Sequence, residues 1–299
     1  MHKLIHSFTH IESRDIVDNA KIDFNNEPDT VDALPSHEIF VHEGSDDVTE
    51  LLSGDDGTTK ERVNIRKKLR KIMNPIEDKI TKIVREIYPE VCDRSDKANR
   101  KCRPCYSLVR RYAPDERRNH AMHRDGQALV TVVMSLSDYN TEYRGGLYVA
   151  TNHVRMALEL NRGDAVMHQS DLLHGVQVDD LEQDPIYPHA KTQSKRWSWI
   201  LWFKDSDTCE QYGHEWSKHC RKSNALCAYM YGWRSFLNPK DSNSDKTRDK
   251  WMRHAAHMGL AEAAFKIARN EIGTCDVLRS LRLSLSLSLS LSGLIFTYL

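Results

Sequence analysis

The sequence predicts a mainly β protein, a double-sheet jelly roll with supporting helices, followed by a small α-helical segment. Apolar residues recur with a helical period between Thr58 and Pro89, and then alternate with a period of two from Tyr106 to Phe203. Polar or glycine-containing turns separate the alternating segments, and no helical pattern lies between them. Helices followed by many closely spaced strands are typical of two packed sheets covered by helices.

We divide the chain into four parts. Residues 1–30 are polar and aperiodic, so we predict uncertain or disordered structure there. The β domain is expected at 31–208, with the jelly roll itself at about 104–207, and a helical segment at 215–273. Residues 274–299 form a low-complexity Leu-Ser tail, and its repeat LSLSLSLSLS is what a CT-repeat transcript would encode. Our hypothesis is a gene-model artefact, which detection of this peptide by mass spectrometry would contradict.

Ahead of the jelly roll, the sequence supplies one strand and two helices. The segment HEIFVHE alternates like a short strand. Thr58 and Glu61 form a T-x-x-E capping box before the first helix. Asn74 and Pro75 then restart the pattern, with Asn as the N-cap and Pro at the first helical position, so we predict a second helix that ends before Pro89.

The strands of the jelly roll are expected in the alternating segments. In chain order these are YSLVRRYA, ALVTVVMSLS, GGLYVA, VRMALEL, DAVMHQS, HGVQV and RWSWILWF. After Asp207 the helical period returns, in NALCAYMYGWRSF and DKWMRHAAHMGLAEAAFKIAR.

Composition argues against several classes of partner. Lys plus Arg and Asp plus Glu both number 43, so the formal net charge is zero and points neither to nucleic acid nor to a membrane surface. No run of about 18 apolar residues predicts a membrane span, and MHKLIHSFTHIESRD has no apolar core for secretion. RKKLRK can be interpreted as a nuclear signal, but its place on an amphipathic helix favours a solvated face. We expect a cytoplasmic protein, with a nuclear location as the alternative.

The chain has 7 cysteines at irregular spacing, which argues against a disulfide framework and favours a reducing compartment. Cys102 and Cys105 form a lone C-x-x-C, which redox chemistry or half a zinc site would also explain. Because no second C-x-x-C accompanies it, we interpret the pair as reduced thiols, and any role for them stays open.

The stretch NHAMHRDGQ contains the His-Arg-Asp spelling of a protein-kinase catalytic loop. A kinase would place Asn five residues after the Asp, where this chain has Val130. It also lacks a D-F-G segment and a glycine-rich phosphate loop. The kinase interpretation is therefore rejected.

The same stretch fits two-thirds of an iron site made of two histidines and one carboxylate. His123 and Asp125 are two residues apart, so on an extended segment both side chains can face one ion. A third ligand should come from a distant strand, and His174 at the start of HGVQV is the preferred candidate. Any single histidine is more often a surface or hydrogen-bonded residue than a ligand. The rival histidines are His120, His153 and, above all, His168.

Enzymes that activate oxygen at such a site commonly use 2-oxoglutarate, whose distal carboxylate needs a buried cation, ideally a bidentate arginine. Arg196 opens the apolar strand RWSWILWF. Taken alone, it is better interpreted as an arginine at a strand end that reaches solvent. Together with the His-Asp-His set, it is a candidate for carboxylate binding.

Residues from about 104 to 207 resemble the catalytic domain of the 2-oxoglutarate and Fe(II)-dependent oxygenases, in the prolyl 4-hydroxylase-like branch. The matching pieces are RRYAPDERRNHAMHRD, LVTVVMSLSD, YRGGLYVA, LNRGDAVMHQSDLLHGVQV and KRWSWILWFKDSD. The resemblance implies a double-stranded β-helix, that is, a jelly roll. It implies Fe(II) bound by His123, Asp125 and His174, and 2-oxoglutarate held by Arg196 and Tyr112. It also implies ascorbate as a helper reductant.

Two departures from the family pattern bear on this resemblance. The basic residue usually follows the distal histidine by about ten positions, whereas VDDLEQDPIYPHAKTQS lengthens the connection here. Such insertions cost little free energy, and they leave Lys191 and Lys195 as rivals to Arg196. Ser135 stands where some prolyl hydroxylases have a second tyrosine that binds the cosubstrate, which puts a prolyl substrate in doubt.

Residues 224–262 resemble one Sel-one-like repeat, a relative of the tetratricopeptide repeat, through the W-x-x-x-A-A-x-x-G spacing of Trp251, Ala255, Ala256 and Gly259. A helical pair that covers a sheet face and a partner-binding surface within 224–273 are equally good interpretations.

We expect a dioxygenase that hydroxylates an unactivated C–H bond on a protein or peptide, of prolyl or lysyl type, with succinate and CO2 as co-products. The alternatives are a small-molecule or nucleobase hydroxylase on the same fold, and a catalytically idle jelly roll that binds partners through its helical repeat. The substrate itself is not readable, because its contacts would come from loops such as 179–195.

Overall fold

The computed structural model divides the chain into two compact units, Met1–Gly213 and His214–Leu299. It describes residues 1–20, 23–25, 34–43, 57–89, 104–126, 128–151, 154–181, 194–204, 217, 220–236 and 243–273. The predicted Leu-Ser tail, His153, Lys191 and Cys102 lie outside these described residues. No helix among the described residues is long and apolar enough to cross a membrane.

The described residues of the first unit form two antiparallel sheets, as the alternating segments predicted. The larger sheet has seven strands in the order β1-β9-β6-β11-β4-β3-β2, and the smaller has four in the order β5-β10-β7-β8. The strands are β1 His2–Leu4, β2 Asp23–Asn25, β3 Ser36–Glu43, β4 Tyr106–Tyr112, β5 Asn119–His123, β6 Val130–Ser135, β7 Arg144–Thr151, β8 Val154–Ala157, β9 Ala165–Gln169, β10 His174–Asp179 and β11 Arg196–Phe203.

The two sheets pack face to face, which is the arrangement of a jelly roll. Val133 and Val166 of the larger sheet share one buried apolar cluster with Leu147 and Val176 of the smaller sheet. On β11 successive side chains point to opposite faces, so Arg196 and Ser198 share one face with Ile200, which packs against this cluster. Polar groups on this face lie between the sheets.

Helix α2 spans Gly57–Ile87 without a break, so the prediction of two helices that meet at Asn74–Pro75 is wrong. Proline inside a helix removes one hydrogen bond and costs about 3 kcal/mol. The apolar stripe nevertheless runs in one helical period across Pro75, and every member is buried: Leu69, Met73, Ile76, Ile80 and Val84. Burial of this continuous stripe favours one helix over the local signal for a new start.

The N-terminal residues, for which we predicted uncertain or disordered structure, contain a strand and a helix. Strand β1 pairs antiparallel with β9. Helix α1, His10–Asn19, begins with a capping box in which the Thr9 side chain accepts from the Glu12 N–H while Glu12 accepts from the Thr9 N–H. The T-x-x-E pattern was present in the sequence, but only a few apolar positions such as Ile16 accompany it.

The described part of the second unit contains three helices, α3 Ala225–Phe236, α4 Ser244–His257 and α5 Ala261–Gly273. Ala228, Met252, Ala255 and Ala263 share its apolar core, so the small residues pack between helices. The resemblance to a Sel-one-like repeat stays a prediction.

The cysteines differ from the expectation of reduced thiols. A disulfide joins Cys220 to Cys227, and Cys105 is also disulfide-bonded. Sequence spacing alone could not reveal the first bond, because the two cysteines do not follow a recognised motif. They come together where a turn leads into α3, with their Cα atoms 5.7 Å apart.

Candidate metal centre

A β-bulge places the first histidine in the space between the sheets. Strand β5 pairs with β10 so that His123 lies opposite His174 and His120 opposite Val176. β5 therefore has one more residue than β10 over this interval, and the bulge reverses the usual alternation. As a result, His120 and His123 lie on the same side, with their rings stacked at a centroid distance of 4.3 Å.

The three predicted ligands converge at this point. His123 Nε2 lies 3.4 Å from Asp125 Oδ1, and His174 Nε2 lies 3.6 Å from Asp125 Oδ2. One candidate ligand atom from each residue lies within 4.8 Å of the other two. Asp125 and His174 are only 3% and 4% exposed, so this cluster is largely withdrawn from solvent.

Backbone carbonyls fix the orientation of both imidazoles. His123 Nδ1 lies 2.7 Å from the carbonyl oxygen of Ala121, and His174 Nδ1 lies 3.1 Å from that of Leu172. Because a carbonyl oxygen can only accept, each Nδ1–H donates. Each Nε2 then carries a lone pair, and this is the orientation that metal-binding histidines commonly adopt.

The carboxylate is oriented by Thr131 on β6, whose hydroxyl donates to Asp125 Oδ2 at 2.6 Å. Burial raises the pKa of the Asp125 carboxyl, but its interactions with the imidazoles of His174, His123 and His168 outweigh burial and hold that pKa well below its usual range. Burial lowers the pKa of His174 to about 3. At neutral pH the cluster therefore combines a carboxylate with a neutral imidazole, the protonation states that a divalent metal requires.

Arg196 lies on the inner face of β11, opposite Tyr112 of β4. It is 1% exposed, and its Nε and Nη2 have no hydrogen-bond partner among the described residues. Its guanidinium carbon lies 5.7 Å from the ring centroids of both Tyr112 and Tyr143. A buried guanidinium is rare unless it is paired, so this group has hydrogen-bonding capacity for an anion.

The other residues that the sequence analysis singled out lie at different places around this site. Lys195 is exposed, as expected for the neighbour of an inward-facing strand residue. The Ser135 hydroxyl donates to the carbonyl oxygen of Ser137. His168 is buried beside the cluster, with its Nε2 4.0 Å from Asp125 Oδ2. His120 is also inside, where its Nδ1 lies 2.9 Å from Arg110.

The sequence analysis missed three features of the space between the sheets: Thr131, Tyr143 and the buried ion pair of Arg110 with Glu38. In this pair Arg110 Nε donates to Glu38 Oε2 at 2.6 Å. A signal existed for two of them. Thr131 and Arg110 occupy inward-facing positions of otherwise apolar strands, where a polar side chain needs a partner. The partners themselves were not readable, because they come from other parts of the chain.

No model of a known protein family matches this sequence, and no curated protein matches it. Among solved structures, similar chains include an oxidoreductase of the 2OG-Fe(II) oxygenase family from Burkholderia pseudomallei, at 12% identity and a TM-score of 0.45, over 70% of this chain and 87% of that chain. A prolyl-4-hydroxylase from Pseudomonas putida is 14% identical, with a TM-score of 0.37, over 68% of this chain and 91% of that chain.

HygX from Streptomyces hygroscopicus, solved with nickel and 2-oxoglutarate bound, is 11% identical, with a TM-score of 0.39, over 71% of this chain and 89% of that chain. At these identities and scores, the similarities carry no argument about what this chain does. The function has to be inferred from its own residues.

Proposed function

We propose that this protein is an Fe(II)- and 2-oxoglutarate-dependent dioxygenase. The observation that carries the proposal is the combination of two groups in one buried space: the His123–Asp125–His174 cluster and the Arg196 guanidinium without partners for its Nε and Nη2. A metal site alone would fit many chemistries. A buried cation beside it is what a cosubstrate with a second carboxylate requires.

The three candidate ligands fit iron. For bonds of about 2.1 Å, adjacent donor atoms on an octahedral ion lie about 3.0 Å apart. The separations of 3.4 and 3.6 Å to the Asp125 oxygens approach this value. Two imidazoles and one carboxylate on one face of an ion also leave positions for other ligands, as in non-heme Fe(II) oxygenases.

The position of Arg196 fits the distal carboxylate of 2-oxoglutarate. A Cβ added to Gly146 of β7 would lie 3.3 Å from Arg196 Nε, so the guanidinium lies at this point of the strand. Val149 of the same strand is opposite His174. Three residues at about 3.3 Å each separate the two points by about 10 Å. A five-carbon diacid bound to the metal at one end can span such an interval.

Each residue then has a defined task. His123, Asp125 and His174 would hold the ion, and Thr131 would keep Asp125 in its rotamer. Arg196 would bind the distal carboxylate, with the Tyr112 ring beside the guanidinium. When bound, iron with 2-oxoglutarate and oxygen supplies the oxidation of a C–H bond, with succinate and CO2 as co-products. The protein contributes alignment and exclusion of water.

We propose further that the substrate is a protein or peptide side chain, of prolyl or lysyl type. The support is the resemblance of five ordered sequence pieces to the prolyl 4-hydroxylase-like branch. Ascorbate as a helper reductant has the same support. Because Ser135 departs from the pattern of some prolyl hydroxylases, lysyl and other side chains are candidate substrates as well as prolyl ones.

The test is turnover of 2-oxoglutarate to succinate by the purified full chain with Fe(II). We expect wild type to convert the cosubstrate and His123→Ala to lose iron and turnover together. His10→Ala, an exposed histidine on α1, is the matched control and should behave as wild type. Absence of both iron binding and turnover in wild type would favour the idle jelly roll. Oxidation mapping of cell-extract proteins by mass spectrometry then separates a protein substrate from a small molecule.

A further inference from the structure

A third imidazole, that of His168 on β9, reaches the candidate metal centre. His168 lies opposite Thr131 in the pairing of β9 with β6, and its ring centroid is 4.5 Å from that of His174. Its Nδ1 is 2.9 Å from the carbonyl oxygen of Gln169 and therefore donates to it. The lone pair is thus on Nε2, 4.0 Å from Asp125 Oδ2.

This lone pair has no hydrogen-bond partner among the described residues, although His168 is only 1% exposed. Such a buried acceptor costs about 1–3 kcal/mol when it stays unsatisfied. The Asp125 carboxylate cannot satisfy it, because a carboxylate has no proton to donate and 4.0 Å is too long for a hydrogen bond. A metal ion held by Asp125 and His174 is a Lewis acid, and it can accept the lone pair of His168 Nε2.

We propose that His168 binds the metal as a third imidazole while 2-oxoglutarate is absent, and leaves the metal when 2-oxoglutarate binds. This inference rests on the proposed function. An octahedral ion has six positions, and His123, Asp125 and His174 occupy three of them. With His168 as a fourth ligand, the bidentate cosubstrate would fill the last two positions and leave none for oxygen. His168 therefore has to leave the metal before oxygen can bind.

The geometry indicates which ligand is displaced. His168 does not belong to the set of three residues whose ligand atoms all lie within 4.8 Å of one another. Its ligand atom lies outside this compact set, so His168 would be the residue that the ion holds most weakly. His168 would stabilise the metal before the cosubstrate arrives and compete with the cosubstrate afterwards.

Competition at one position has two linked consequences, because coupling between two ligands is reciprocal. His168→Phe, which replaces imidazole by an apolar ring, should lower the affinity for Fe(II) about tenfold. The same substitution should raise the affinity of the metal-loaded protein for 2-oxoglutarate about tenfold, because no bond has to break first. A residue with a purely structural role would not shift the two affinities in opposite directions.

The experiment counts imidazoles on Cu(II), which N and O donors of this kind bind more tightly than Fe(II). The full chain is loaded with Cu(II), and pulsed electron paramagnetic resonance detects the remote nitrogen of each bound imidazole. We expect three imidazoles in wild type, two after 2-oxoglutarate is added, and two in His168→Phe with or without it. Calorimetric titrations with Fe(II) without oxygen give the affinities.

The controls separate this inference from the proposed function. His10→Phe introduces the same ring at an exposed position and should keep three imidazoles. Two imidazoles in cosubstrate-free wild type, unchanged in His168→Phe, would overturn the role of His168 and leave the proposed function intact. No imidazole-bound metal in wild type would overturn both. If His168→Phe does not fold, His168→Leu carries the same expectations, and the wild-type count with and without 2-oxoglutarate is decisive by itself.

Discussion

The two ends of the space between the sheets differ in how their polar groups are held. At the metal end, backbone carbonyls accept from the Nδ1–H groups of His123 and His174, and the Thr131 hydroxyl donates to Asp125. At the other end, the Arg196 guanidinium lies between aromatic rings, with its Nε and Nη2 without hydrogen bonds among the described residues. At the metal end, the hydrogen bonds fix the orientation of each side chain. At the other end, guanidinium N–H groups of Arg196 remain available for a ligand. The oriented ligands suit a metal ion, which needs a strict coordination geometry, and the guanidinium suits an organic anion.

The largest effect is expected from the carboxylate at the metal end. Asp125→Asn keeps the shape but removes the charge, and we expect the affinity for Fe(II) to fall at least about 100-fold, more than loss of an outer partner would cost. Calorimetric titration without oxygen measures this change. Asp171→Asn, an exposed neighbour, is the control and should bind Fe(II) as wild type does. Equal affinities in Asp125→Asn and wild type would place the metal elsewhere.

The next effect is expected at the opposite end. Arg196→Ala removes a charged hydrogen-bonding group worth about 1.5–3 kcal/mol, so the KM for 2-oxoglutarate should rise about 10- to 100-fold while Fe(II) affinity stays unchanged. Succinate release over a range of 2-oxoglutarate concentrations measures it. Lys195→Ala removes the adjacent, exposed charge and should leave KM unaltered. The reverse result would assign the anchor to Lys195.

A smaller effect is expected from the group that holds the carboxylate. Thr131→Val keeps the volume and removes the hydroxyl that donates to Asp125, so we expect about a tenfold loss of Fe(II) affinity. Thr131→Ser restores the hydroxyl and should restore most of the affinity. If Val and Ser variants bind Fe(II) equally well, the hydrogen bond has no part in metal binding.

The smallest effect concerns pH and the metal-free protein. Burial lowers the pKa of His174 from 6.5 to about 3, so the unfolded chain binds a proton between these values and the folded chain does not. The contribution of His174 to stability is therefore complete above pH 6.5 and decreases as the pH falls toward 3. Urea unfolding of chelator-treated protein at pH 7 and pH 5 should give the lower midpoint at pH 5. His174→Phe should flatten this dependence, and an unchanged slope would contradict it.

Much of the first unit was predictable because many of its strands are short apolar segments separated by polar or glycine-containing turns. The segments before β4 were less predictable, because helix-start signals in the local sequence compete there with the packing of apolar side chains. Asn74–Pro75 is a good helix start by local rules, yet the apolar stripe continues through it. Helix α1 has a clear cap but few apolar residues, so periodicity gave no support for it.

The candidate site was predictable in its charged and imidazole members, but not in what surrounds them. His123, Asp125, His174 and Arg196 could be chosen because each residue type has a chemistry that the others complement. Thr131 could be noticed only as a polar residue in an apolar strand, and a threonine in a strand usually needs no special account. Its role depends on Asp125 being folded beside it, which spacing along the chain does not encode.

The bulge between His120 and His123 has a consequence for how this chain tolerates insertions and deletions. Most length changes in a β protein fall in turns and leave the interior unaltered. Gain of a single codon between His174 and Val176 of β10 would instead give the extra residue of β5 a partner, restore regular alternation and turn one of the two imidazoles to the other face. The interval where β5 pairs with β10 is therefore a place where length, and not only residue type, is under constraint.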